Sequence, residues 1–135
     1  KGLKFYTPGM NAFVDARDVA FVLAELGERR IFNDRFLVIS ENLYYKDLFS
    51  KIAKAFGVKG PTIEAKPWMA ALVWRLESFL ALFGKKQTIT RETARSSMSV
   101  TQYSNQKIKS KLGFEFRSMD DAVANAVNYF NQQYR

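Results

Sequence analysis

The amino-acid sequence predicts an α/β or α+β fold, dominated by helices and carrying a minimal sheet. Three observations lead there. Apolar residues recur at helical spacing along most of the chain. One continuous apolar run of strand length, Arg35 to Ser40 (R-F-L-V-I-S), stands between polar flanks and reads as a buried strand. The 135 residues are 47% apolar and 25% charged, which suits one ordinary globular domain and not two.

The elements follow in order. Asn11 to Val14 is short and extended in character, and Asp15 is placed to cap a helix behind it. Val19, Ala20, Val22, Leu23 and Leu26 give that helix its apolar spacing, and Gly27 is the expected stop. After the strand at 35–40, Asn42 is the expected cap of a helix with Tyr45, Leu48, Phe49, Ile52, Ala53 and Phe56 on one side. Lys46, Asp47, Ser50, Lys51 and Lys54 lie on its other side, and Gly57 ends it. Lys59 to Lys66 holds Gly60 and Pro61 and reads as an extended connection. Pro67 suits the first turn of a helix to Phe83 that is apolar nearly all round and stops at Gly84. A shorter helix runs from Thr90 to about Met98. Ser104 is the expected cap for Asn105 to Leu112, closed by Gly113. Ser118 with Asp121 makes a capping-box-like start for a last helix, whose apolar face is Met119, Ala122, Val123, Ala126, Val127 and Phe130. A lone buried strand leaves backbone donors and acceptors without partners. The sequence therefore predicts a sheet completed by another part of a parent protein, or by a second copy.

Composition limits the chemistry. The chain has no cysteine and no histidine, so thiolate metal sites, disulfides and every His-dependent nucleophilic mechanism are outside its reach. It opens with Lys1 and shows no signal-like leader, which predicts a piece of an intracellular, cytoplasmic protein. The most apolar stretch, Trp68 to Phe83, is broken by Arg75 and Glu77, so no membrane span is expected. The net charge of +8 favours anionic partners in general. The basic residues are scattered, so a solvated surface is the preferred reading over a nucleic-acid module.

Three blocks carry a family resemblance. Asn11 to Ala20 (N-A-F-V-D-A-R-D-V-A) resembles the F-V-D-V-R-D-V-A signature of extended short-chain dehydrogenases/reductases, the NAD-dependent epimerase/dehydratase superfamily. Arg35 to Gly57, ending A-F-G, is similar to the family's strand-to-helix segment after that signature. Tyr103 to Phe130 (Y-S-N-Q-K-I-K-S-K-L-G-F, then S-M-D-D-A-V) is similar to its Lys, L-G-[FWY] and capped last helix. The proline-led apolar helix and G-K-K-Q-T-I-T-R-E-T-A-R resemble dihydroflavonol-reductase-like and hydroxysteroid-dehydrogenase-like members. Sugar-nucleotide epimerases of the superfamily usually carry an arginine where Asn11 stands, which weakens that branch without excluding it.

The resemblance implies that residues 1–135 form one C-terminal, substrate-binding domain of a Rossmann-type enzyme whose N-terminal cofactor domain is missing. The intact protein would use NAD(P) on a carbonyl or hydroxyl substrate. This chain would bind no cofactor or metal, would supply no catalytic residue, and would be inactive alone. No G-x-x-G-x-x-G cradle occurs in it. The family's catalytic pair is Tyr-x-x-x-Lys with a Ser, and Tyr103 and Lys107 have that spacing. The structural reading is preferred for them, because Ser104 as cap leaves Tyr103 outside the helix and the family's pair lies upstream.

The implied substrate-facing residues are Tyr6, Pro8, Gly9, Met10, Asn11 and Phe13, with Thr7 in the same loop and Arg91 farther on. Structural roles are preferred for the rest: caps for Asp15, Asp18, Asp120 and Asp121, core or the interface with the missing part for Trp68, Met69 and Trp74, solvation for Arg95. Two other classes stay open. A basic helical module would bind nucleic acid or another anionic partner, salt-sensitively. An interaction protein would pair through the helix from Trp68 to Phe83, and self-association of the isolated chain is expected.

Overall fold

The computed structural model describes residues 2–66, 68, 69, 72, 75 and 91–134. Among the described residues four short strands form two separate pairs, and helices make up most of the rest. Strand β2 (Met10–Phe13) pairs antiparallel with β3 (Glu41–Tyr44), Met10 opposite Tyr44 and Phe13 opposite Glu41. Strands β1 (Phe5–Tyr6) and β4 (Ile63–Glu64) pair in parallel. A parallel bridge joins Met10 to Val100, so β2 has neighbours on both edges.

Helix α1 (Ala16–Glu28) begins where Asp15 accepts a hydrogen bond from the Arg17 backbone N–H, as expected of a cap. Its stop differs from the expectation. Gly27 lies within the helix, and the left-handed turn falls at Arg30, at φ 52°. The Ile31 N–H closes back on the Leu26 carbonyl, which supplies the stop that glycine was expected to give.

The expected strand over 35–40 is also corrected. Strand pairing begins at Glu41, and Arg35 to Ile39 belongs to no strand. Side chains of a helix serve two of its carbonyls instead: Asn105 Nδ2 donates to Ile39 O at 2.8 Å and Lys107 Nζ to Arg35 O at 3.0 Å. The apolar character of the run reflects burial. Phe36 and Val38 pack against the core of Val22, Ile108 and Leu112, together with Leu26, Ile31, Phe114 and Phe116. Val22 and Ile108 are fully buried, each worth roughly 1.5–3 kcal/mol of transfer free energy.

Helix α2 (Tyr45–Ala55) ends at Gly57 with φ 68°, as read from the sequence. Its N-cap is Tyr44, with no side-chain cap bond, and not Asn42. Asn42 lies in β3 and grips the Tyr103 backbone from both sides: Nδ2 donates to the carbonyl and Oδ1 accepts from the N–H, each at 2.9 Å.

Helix α3 (Arg91–Ser96) falls inside the expected span. The expected helix 67–83 and its stop at Gly84 lie largely outside the described residues, of which Trp68, Met69, Leu72 and Arg75 are helical. Helix α4 (Gln106–Leu112) is capped one residue later than expected, at Asn105, while Ser104 Oγ accepts from the Gln106 N–H at 3.3 Å. Gly113 closes it in the left-handed region. Helix α5 (Met119–Tyr134) starts at Ser118, whose hydroxyl accepts from the Asp121 N–H. Met119, Val123 and Val127 are buried, and Lys51 of α2 pairs with Asp120 at 2.6 Å.

One buried carboxylate ties the two ends together. Asp18 is wholly buried and accepts from the Arg117 N–H at 2.8 Å and from the Arg117 guanidinium. It does more than sit at a helix start, because it fixes α1 against the entry of α5.

Candidate functional site

The loop between β1 and β2 divides the predicted site residues among three surroundings. Tyr6 and Pro8, with Thr7, line a cleft of about 320 Å³ completed by Tyr44, Lys46, Asp47 and Glu64. The parallel β1–β4 pairing sets Tyr6 opposite Glu64, and the Tyr6 hydroxyl reaches Glu64 Oε2 at 3.4 Å. Lys46, in the first turn of α2, holds its ammonium 5.2 Å from the centre of the Tyr6 ring. The cleft thus offers two tyrosine rings, hydroxyl groups, one cation and two carboxylates. Such a lining suits a hydroxylated ring, which can stack on Tyr6 and exchange hydrogen bonds with the charged groups.

Gly9 and Met10 are buried and belong to the scaffold behind the cleft. Gly9 N–H donates to Ser97 O at 3.1 Å and Met10 N–H to Ser99 O at 3.0 Å. A Cβ on Gly9 would lie 2.3 Å from Ser97 O, so only glycine allows this approach. Asn11 turns its Oδ1 back to the Ala12 N–H at 2.8 Å. Phe13 meets the Tyr45 ring edge-on at 6.0 Å, and Tyr45 stacks on Phe49. Arg91 opens α3, five residues before the strap 96–101 that runs along Gly9 and Met10.

Four lining residues escaped the sequence reading. Lys46 and Asp47 read as the solvated side of α2, and Tyr44 had no assigned role. Glu64 reaches Tyr6 through a pairing across 58 residues that no local pattern announces.

Tyr103 precedes α4, and its backbone is held by Asn42. Lys107 is committed to Asp34, to the Arg35 carbonyl and to the face of the Phe36 ring at 4.9 Å. The Lys107 ammonium and the Arg35 N–H hold the Asp34 carboxyl below the ordinary aspartate range. Asp15 is likewise held low, chiefly by its hydrogen bonds to the Arg17 side chain at 2.6 and 3.0 Å. Asp120 beside Lys51 holds that ammonium above its usual value. These are structural ion pairs.

Among the described residues no cluster of acids could hold a metal ion, and no helix is long and apolar enough to cross a membrane. Among the described residues no glycine stands at the start of a helix, where a pyrophosphate cradle would place it. Gly57 and Gly113 sit at helix C-termini, Gly9 is filled by the Ser97 backbone, and Gly2 lies against Lys59 O.

A second concavity, open and about 460 Å³, lies between α2 and α5 and is lined by Val14, Ile52, Phe56, Met119, Val123 and Phe130. It offers apolar surface and almost no polar chemistry.

No protein-family model matches the chain. Over 131 residues, 93% of its length, it is 25% identical to a protein of Synechocystis sp. described as "Putative dihydroflavonol 4-reductase". In fold it is similar to the crystal structure of gox2253, with a TM-score of 0.74 and 30% identity over 98% of this chain. The chain spans 38% of the first protein and 41% of the second. It is therefore similar, along nearly its whole length, to a minor part of larger proteins.

Proposed function

We propose that this chain is the C-terminal, substrate-side lobe of an NAD(P)-dependent reductase or epimerase of the dihydroflavonol-reductase-like kind, with the nucleotide held by a part of the parent protein outside these residues. One observation carries the reading: 98% of the chain superimposes on only 41% of a larger solved protein, with 30% identity, and 93% of it matches 38% of the reductase-described relative. The absence of any glycine cradle among its motifs supports the same division of labour.

In this reading the lobe orients substrate and supplies no reacting group. The Tyr6 face and the Lys46 and Glu64 head groups hold a hydroxylated ring, while the β2 scaffold, pinned by Gly9 and Met10, fixes the loop that presents them. Catalysis on the carbonyl or hydroxyl depends on residues elsewhere in the parent.

The test is steady-state kinetics on the intact parent protein. Tyr6→Ala and Lys46→Ala are expected to raise KM for the carbonyl substrate about tenfold, the value of one lost stacking or charged contact, and to leave KM for the nucleotide unchanged. Equal effects on both, or on the nucleotide alone, would remove the cleft from the substrate side.

A further inference from the structure

The walls of the Tyr6 cleft are tied to one another by main chain. Glu64 is held to Tyr6 because the Ala65 N–H donates to the Tyr6 carbonyl at 2.7 Å. A second wall, Tyr44 to Asp47, is held through Gly9. Helix α2 has no side-chain cap, and its first N–H, that of Tyr45, donates to the Gly9 carbonyl at 3.0 Å. The Gly9 N–H donates in turn to Ser97 O at 3.1 Å, on a strap that supplies none of the described lining residues. Beside Gly9, Met10 pairs with Tyr44 on one edge and bridges to Val100 on the other. The Thr101 N–H donates to Met10 O at 3.3 Å. One buried glycine thus joins the loop 6–8, the first turn of α2 and the strap.

We propose that Gly9 is a positioning residue for substrate, and that the strap 97–101 acts on the cleft through it. The proposal rests on the substrate-side reading of the cleft and extends it to a backbone that need touch no ligand. The spacings to be kept are close ones. The Lys46 ammonium stands 5.2 Å from the Tyr6 ring centre, and the Tyr6 hydroxyl 3.4 Å from Glu64 Oε2. These groups come from three separate stretches of chain, so a shift at the Gly9 junction changes the distance between them. A Cβ on Gly9 would lie 2.3 Å from Ser97 O and 2.8 Å from Ser99 O, the closer being about 1 Å inside ordinary contact. Both are backbone atoms, which no rotamer change moves aside. Relief must come from the strap or from β2. A misplacement of about 1 Å can cost on the order of a hundredfold where a site works by orienting its substrate.

Steady-state kinetics and hydrogen exchange on the intact parent protein test it. Gly9→Ala should lower kcat/KM for the carbonyl substrate at least about tenfold, leave the nucleotide KM unchanged and speed amide exchange at Tyr45. Asp18→Ala also loosens the fold, but Asp18 lines no part of the cleft. It should therefore leave kcat/KM unchanged at a temperature where both variants are folded. Thr101→Pro removes the strap's N–H to Met10 O and keeps Gly9. It should lower kcat/KM in the same direction, and it carries the test where Gly9→Ala does not fold. Full kcat/KM in the deciding variant, with Tyr6→Ala still raising KM, would overturn the proposal and leave the cleft reading standing. An unchanged KM in Tyr6→Ala would remove the cleft reading, and this proposal with it. Asp18→Ala falling as far as Gly9→Ala would also overturn it, since lost stability and not lost position would then be the cause.

Discussion

Substituting Asp18 isolates the contact that ties α1 to the chain at Arg117, just before α5. The carboxylate is fully buried, and both groups it serves belong to Arg117, 99 residues away. Asp18→Asn keeps shape and volume. It preserves an acceptor for the Arg117 N–H, but turns an amide donor toward the guanidinium, a donor facing a donor. A hydrogen bond to a charged group contributes roughly 1.5–3 kcal/mol. The Arg117 side chain is 44% accessible and can turn to water, so the lower half of that range applies: about 1.5–2 kcal/mol. Asp18→Ala also leaves the Arg117 N–H without its partner and opens a small void, bringing the loss to about 3 kcal/mol. Against a total of about 5–15 kcal/mol that is a large share. It corresponds to a Tm lowered by roughly 10 °C for a chain of this size. Urea titration followed by circular dichroism, with a double-mutant cycle against Arg117→Ala, measures both numbers and their coupling. An Asp18→Asn chain within about 0.5 kcal/mol of the original would refute the reasoning, since surface pairs behave that way and buried ones do not.

Other predictions follow from the same contacts. Gly9→Ala should cost about 2–4 kcal/mol, because the new Cβ meets the backbone at Ser97 and Ser99 within 2.8 Å and one strand must give way; faster amide exchange at Gly9 and Met10 would report it. Asn42→Ala removes both bonds to the Tyr103 backbone and should cost about 1–2 kcal/mol, visible as lost protection at the Tyr103 amide with α4 unchanged. Asp15 and Asp34 have carboxyls held below their unfolded values, so their contribution is complete above about pH 4 and fades as pH falls through the depressed values. Lys51 has the opposite sign, its contribution complete at neutral pH and fading as pH rises through its elevated value. Urea midpoints across the pH range should be flat between these limits; a midpoint already falling from pH 7 to pH 6 would contradict the assignment.

What was legible in the sequence was what local periodicity controls. The apolar stripes of α2 and α5, the Asp15 cap and the glycine stops at 57 and 113 depend on residues within a turn or two of one another. The strands were less legible because pairing is long-range. R-F-L-V-I-S has strand composition, yet Arg35 to Ile39 joins no strand and packs on the core, whereas the polar E-N-L-Y becomes β3 because Met10–Phe13 lies alongside. Asn42 and Asp18 show the same limit. Each sits where a cap or dipole residue is expected, yet each serves a partner 61 or 99 residues away. In the candidate cleft, Tyr6 and Pro8 are named only through the family resemblance of their loop. Lys46 and Glu64 could not be named, because α2 solvation and a two-residue strand give no hint that both converge on the Tyr6 ring.

Calorimetric titration of NADPH into this 135-residue chain addresses the central claim most directly. A lobe that leaves the dinucleotide to the rest of its parent gives no saturable heat at any practical concentration, while the chain remains folded by circular dichroism. A saturable, micromolar or tighter association would mean that these residues cradle a pyrophosphate on their own, and the division between substrate-side and nucleotide-side parts would have to be abandoned.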